Sequence, residues 1–169
     1  MIRLASKHHV PLLLELTKAC GRHMIEHGIY QWNEVYPNSK AFLSDLKKKA
    51  LWIYICKNHP VGCVSFYTEM DAEYAQIPWL MPESKHLYVH RLAVHPNYQK
   101  RNIARKLMDF AEEKARRWKC ESVRLDTFSQ NPRNLKFYDT RGYQKTGGIL
   151  YFPKQSEHPF YAMELPLNT

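Results

Sequence analysis

Apolar residues recur along this chain in two distinct periods. Over residues 10 to 27, Leu13, Leu16, Cys20 and Met24 share one face of a helical repeat, and Gly28 follows as a stop. Asn38 or Ser39 can cap a second helix whose apolar stripe is Phe42, Leu43 and Leu46. The clearest helical pattern spans residues 102 to 118. There Ile103, Leu107, Phe110, Ala111 and Trp118 share a face, while Glu112, Glu113, Arg116 and Arg117 fall mostly outside it. A short helix is predicted over Pro132 to Thr140, with proline in its first turn and Gly142 just past its end. Strands are predicted at Ile2–Ala5, Leu51–Cys56, Val61–Tyr67, Leu87–Val94, Ser122–Phe128, Tyr143–Phe152 and Phe160–Leu165. The turn-like stretch Lys57-Asn58-His59-Pro60 makes the second and third strands a hairpin, and residues 29 to 37 and 68 to 85 read as loops. Strands and helices alternate before a final antiparallel pair, which predicts a mixed α/β sheet.

Length and composition narrow the class without naming a chemistry. The 169 residues contain no repeat or linker-like stretch, so one domain over residues 1–169 is expected. Eleven Tyr, seven Phe and four Trp supply enough apolar area to bury a core. The net charge of +9 fits nucleic acid, a membrane surface, an anionic small molecule, or simply a solvated basic surface. Lys47 to Lys49 is the only run of three basic residues and no nucleic-acid motif is present, so no nucleic-acid partner is expected. Cys20, Cys56, Cys63 and Cys120 form no C-x-x-C pair, which argues against zinc; no metal is expected, and reduced thiols point to the cytoplasm. The apolar run Val10 to Leu14 is too short for a signal core or a membrane span.

Candidate chemistry sits between Leu87 and Arg105. A strand runs through Arg91-Leu92-Ala93-Val94-His95-Pro96, then a turn, then a helix start carrying Lys100, Arg101 and Arg105. Unpaired N–H groups and the positive dipole end make such a start an anion site, and a pyrophosphate suits it.

The same segment resembles the acyl-CoA loop of the GNAT superfamily of N-acetyltransferases. Gln99, Lys100, Arg101, Asn102, Ile103 and Ala104 occupy the family pattern of Gln or Arg, two variable residues, Gly, a variable residue, and Gly or Ala. Asn102 stands where glycine is usual, and asparagine is one of the few other residues that tolerate a positive φ. Its side chain is expected to crowd the pyrophosphate and weaken binding. A second stretch, Asn131 to Tyr143, is similar to the family's other signature, with Asn131, Tyr138, Gly142 and Tyr143 in register and Asn134 in place of a frequent Ala. Gly28-Ile29-Tyr30-Gln31-Trp32 with Tyr36-Pro37 resembles a bacterial subgroup.

The resemblance implies a fold, a cosubstrate and a set of roles. The implied fold is the GNAT (acyl-CoA N-acyltransferase) α/β fold: a mostly antiparallel sheet of about seven strands with a central splayed parallel pair, flanked by about four helices. It implies acetyl-CoA as donor, held by Leu92, Ala93, Val94, Gln99, Lys100, Arg101, Asn102, Ile103, Ala104, Arg105, Asn131 and Tyr138. Tyr138 is the expected general acid. His90 is the candidate base, placed by strict alternation on the face of Leu92 and Val94, with Glu69, Glu73 or a water chain as alternatives. Tyr30, Trp32 and Tyr36 are expected to line the acceptor pocket, gripping an amine through their rings. Asn131 can contact the pantetheine arm or cap the helix at Pro132. The expected activity is acetyl transfer to a small-molecule or peptide amine, by a monomer or homodimer. A protein N-terminal or lysine acetyltransferase and a non-catalytic acyl-CoA-binding sensor are the competing readings.

Overall fold

In the computed structural model, residues 1–167 are described. Seven strands, β1 (Ile2–Leu4), β2 (Leu51–Cys56), β3 (His59–Tyr67), β4 (His86–Val94), β5 (Ser122–Phe128), β6 (Gln144–Leu150) and β7 (Phe160–Pro166), form one sheet in the order β1-β2-β3-β4-β5-β7-β6. Every pairing is antiparallel except β4 with β5. Four helices, α1 (Val10–Glu26), α2 (Ser39–Lys47), α3 (Ile103–Arg117) and α4 (Pro132–Thr140), complete the expected architecture.

Local chemistry accounts for the element ends. Asn38 caps α2 by accepting the Ala41 N–H at 3.0 Å. Lys57 and Asn58 both have positive φ, which gives a tight two-residue hairpin turn, so β3 already starts at His59 inside the stretch read as a turn. Gly62 on β3 provides the seat for α3: a Cβ there would lie 3.1 Å from the Ala93 carbonyl oxygen and 3.2 Å from Leu107. The loop over residues 68 to 85 contains a short 3-10 turn at Ala72–Gln76, which buries Tyr74.

The sheet has a different core on each face. α3 packs Ile103, Leu107, Met108 and Ala111 against Val64, Phe66, Leu87 and Val89. α1 and α2 pack Leu13, Leu16, Cys20 and Phe42 against Leu51, Ile53, Cys63 and Ala93 on the opposite face. A third cluster around Tyr74, Tyr88, Phe128 and Phe160 closes the β5–β7 end of that side. Two helical expectations need correction. Leu43 is exposed, and its place at the α2 interface is taken by a buried acid, Asp45. Glu112 lies in the buried face of α3, because Arg141 and Tyr143 supply it with three donors at 2.8–3.1 Å.

Candidate active site

The parallel pair parts early. β4 and β5 are in register only through His86–Ser122, Leu87–Val123 and Tyr88–Arg124. Beyond Tyr88 the β5-facing edge of β4 has no strand partner. A bulge lies in the same stretch: Cys63 faces Ala93 and Ser65 faces His90, so Val64 alone spans Arg91 and Leu92. Arg91 takes a φ of 53°, which is rare for a long side chain.

This bulge overturns the alternation expected for His90. Leu92 and Val94 belong to the α3 face, whereas His90 stacks on Tyr74 and Tyr67 on the opposite side. The unusual backbone at Arg91 is held by its side chain. The guanidinium binds Asp45 through two bonds at 2.5 and 2.7 Å and donates to the Tyr36 hydroxyl at 2.9 Å. Ser65 adds a 2.5 Å bond to the same Asp45 carboxylate. A bidentate buried pair of this kind fixes orientation as well as charge.

Two cavities meet at the gap. The larger, about 720 Å3, runs along Leu92, Ala93 and Val94 to the start of α3, between α1 and α4. Gln99, Lys100, Asn102, Ile103, Ala104 and Arg105 line its outer end. Lys100 and Asn102 are both left-handed, with φ near 60°, so asparagine keeps the conformation a glycine would supply. The first α3 bond runs from the Lys106 N–H to the Asn102 carbonyl at 3.0 Å, leaving the N–H groups of Ile103, Ala104 and Arg105 without intrahelical acceptors. Lys100, Arg105 and Arg133 give this cleft its positive charge, and among the described residues no carboxylate lines it. Gln99 braces the loop by donating to the Val94 carbonyl at 3.2 Å and accepting from Arg133 at 2.7 Å. An elongated anion with an apolar arm fits such a cleft.

The smaller cavity, about 310 Å3, occupies the splay itself and has the opposite character. Asp71, Glu73 and Asp126 line it, with Tyr36, Tyr74, Val89, His90 and Arg91. Asp126 lies deep on β5, and the Tyr74 hydroxyl donates to it. Burial pushes the Asp126 carboxyl up to about 6, against the opposing pull of the Tyr74 hydrogen bond and Arg91. Burial, reinforced by Arg91 and Lys48, pushes His90 down to about 3, so its imidazole is neutral and a weak proton acceptor.

Gln31, Trp32, Leu92, Asn134 and Tyr138 line both cavities, and they form the junction. Burial raises the Tyr138 phenol above its ordinary value, and the charge of Asp126 raises it further. The hydroxyl therefore stays protonated at neutral pH. Asn131 caps α4 by accepting the Asn134 N–H at 3.1 Å, and its amide donates to Gln31 at 2.9 Å, so it ties α4 to the loop after α1.

The remaining candidates divide. Trp32 and Tyr36 face the smaller cavity, but Tyr30 is 60% exposed and lines neither. Arg101 also lies outside the cleft lining, over the ring of Tyr98. Glu69 pairs with Lys48 at 3.3 Å outside both cavities, whereas Glu73 stands at the rim of the smaller one. Asp126, Asp71 and Tyr74 were missed in the sequence. One signal was available for Asp126: an acid inside a strand that otherwise reads Val123, Leu125, Thr127, Phe128 is out of place unless it has a task.

Known proteins share this fold. Residues 14–143 match the family model of the Acetyltransferase (GNAT) family. An "uncharacterized N-acetyltransferase in pepI 3'region" of Lactobacillus delbrueckii subsp. lactis is 31% identical over 81 residues, which span 48% of this chain and 46% of that relative. A GNAT-family acetyltransferase from Streptococcus agalactiae superposes with a TM-score of 0.82 at 19% identity, covering 100% of this chain and 96% of its own. A chain of the NatC complex bound to Gag peptide and CoA gives a TM-score of 0.73 at 18% identity, with 99% and 98% covered. At these identities the structural likenesses speak for the fold, and the family match extends from α1 through the second signature at Tyr143; the chain belongs to the Acetyltransferase (GNAT) family.

Proposed function

We propose that this protein transfers the acetyl group of acetyl-CoA to a small primary amine. The observation that carries the reading is the junction: Tyr138 lines a cationic cleft on one side and an acidic cavity on the other. A donor with a phosphate-rich end and an apolar arm matches the first, and an ammonium matches the second. Lys100, Arg105 and the free N–H groups at the start of α3 hold the phosphates, while the β4 edge from Leu92 to Val94 lies along the pantetheine arm. The smaller cavity is at the low end of small-molecule sites, which favours a compact acceptor over an extended peptide.

The chemistry follows from the lining groups. The acceptor enters as ammonium and gives one proton to the Asp126 carboxylate, which is ionised at pH 7. The neutral amine attacks the thioester carbonyl, and backbone N–H groups on the open edge of β4 stabilise the oxyanion by ~3 kcal/mol. The C–S bond breaks, the thiolate takes the Tyr138 proton, the nitrogen loses its second proton to solvent to give the amide, and Asp126 releases the proton it took to solvent before the next turnover. Tyr138 is then reprotonated from solvent. In this scheme His90 serves as a neutral wall of the acceptor site, and Asp126 takes the base role first sought there. Release of free CoA from acetyl-CoA across an amine panel tests the function. Tyr138→Phe should lower kcat about 100-fold with little change in acetyl-CoA KM; unchanged turnover would remove Tyr138 as the acid.

A further inference from the structure

The smaller cavity carries more negative charge than one ammonium requires. On a chain of net charge +9, it gathers Asp71, Glu73 and Asp126 around about 310 Å3. Its only lining cation, Arg91, is already bound by Asp45 and Tyr36. Lys48, which approaches Asp71 from α2's end, is paired with Glu69.

Independent of the acids, two lining groups lack partners. The His90 side chain is only 10% exposed and its Nε2 makes no hydrogen bond, being 3.6 Å from the nearest Asp71 oxygen. The Thr127 hydroxyl, in a residue 2% exposed, is also unpaired. A buried polar atom without a protein partner, where it faces a cavity, is free to accept from a ligand that enters it. A neutral imidazole and a hydroxyl can both accept from N–H donors.

The carboxylates also form a series. Asp126, Asp71 and Glu73 all line the one cavity whose inner end is formed by Tyr138. Asp126 and Asp71 are both half-buried, and Glu73 is exposed at the rim. A single amine at the junction would engage Asp126 and leave Glu73, and Asp71 with only the Tyr67 hydroxyl at 3.1 Å, without a bound ammonium.

We propose that the acceptor is a short aliphatic diamine, with one amine at the Asp126–Tyr138 junction and the distal ammonium held by Asp71 and Glu73. The aromatic walls Tyr36, Tyr74 and Phe152 pack its methylenes. The proposal rests on the acetyl-transfer reading and adds the substrate class. The β6–β7 connection helps enclose the site, since the Lys154 carbonyl accepts from Asn33 at 2.8 Å and Phe152 and Gln155 join the lining.

The test compares putrescine with n-butylamine, of equal chain length, and with γ-aminobutyrate, which places a carboxylate where the second ammonium would be. Putrescine should exceed n-butylamine in kcat/KM by about tenfold, with γ-aminobutyrate the poorest. Glu73→Gln alone should reduce the putrescine advantage, and Asp71→Asn with Glu73→Gln should shrink it to about threefold or less. Calorimetric binding of putrescine to the CoA complex reads the same contacts without turnover. Acetylation of n-butylamine as efficiently as putrescine, or an advantage unchanged in the double variant, overturns the diamine assignment while leaving acetyl transfer intact. Putrescine binding that needs Asp71 and Glu73, but no CoA release with any amine, overturns the transfer reading instead.

Discussion

The two cavities share one strand, β4, and differ in almost every physical respect. The larger offers backbone N–H groups, Lys100, Arg105 and Arg133, and among the described residues contains no carboxylate. The smaller offers Asp71, Glu73 and Asp126, with its single arginine already committed to Asp45. The net charge of +9 describes neither. What separates them is a bulge in β4, after which side chains change faces. A whole-chain charge is thus a poor guide to a site when opposite fields are set side by side.

The contrast can be broken one group at a time. The largest effect is expected from Asp126→Asn. With the base gone, kcat/KM should fall about 100- to 1000-fold, and the acid limb near pH 6 should disappear from the rate profile. A limb that persists in this variant would show that another group titrates. The same substitution should stabilise the fold. A carboxyl raised in the folded state binds its proton there more tightly than in the unfolded chain, so it costs stability as pH rises from about 4 through 6. At pH 7 Asp126→Asn should therefore raise the melting temperature, with a gain on the order of 1–3 kcal/mol. At pH 4 the gain should vanish.

Next in size is the cationic side. Replacing Lys100 and Arg105 together by alanine should raise the acetyl-CoA KM by about 10- to 100-fold, with kcat nearly unchanged and the residual affinity less sensitive to salt. An equal rise in the amine KM would contradict the separation of the two cavities. The smallest effect belongs to Asn102→Gly. The backbone is already left-handed at φ 60°, so glycine changes only the side chain beside the anion site. About a twofold drop in acetyl-CoA KM is expected; a rise would mean that the asparagine side chain contributes a contact.

How much of this could be read in advance depended on range. Helix ends and strand spans follow from nearby residues, and Ser122–Phe128 and Pro132–Thr140 match their predicted bounds. The loop from Gln99 to Arg105 was legible for the same reason, because the residues that line the cationic cleft there are nearly consecutive, Arg101 apart. The acceptor side was not. Asp71 arrives on a loop, Asp126 on β5 and His90 on β4, and nothing in their spacing marks them as neighbours. The misplaced face of His90 has a sharper cause. Strict alternation assumes an unbroken ladder, and the extra residue at Arg91 is stabilised by Asp45, 46 positions away. The burial of Asp45 and Glu112 was hidden likewise, since each acid is tolerated only because an arginine distant in sequence meets it.

The bulge also has a consequence for how such a protein can diversify. Val89, His90 and Arg91 line the smaller cavity and Ala93 and Val94 the larger, with Leu92 lining both, so neighbouring positions of one strand face two different sites. Substitutions at Val89 and His90 can reshape the smaller cavity while the larger one is inherited intact, whereas Arg91 is needed to hold the bulge itself. Insertion or loss of a single residue at the bulge would exchange the faces and spoil both at once. Away from Arg91 the strand is therefore tolerant of changes in letter and intolerant of changes in length, and relatives that vary in acceptor should keep that spacing.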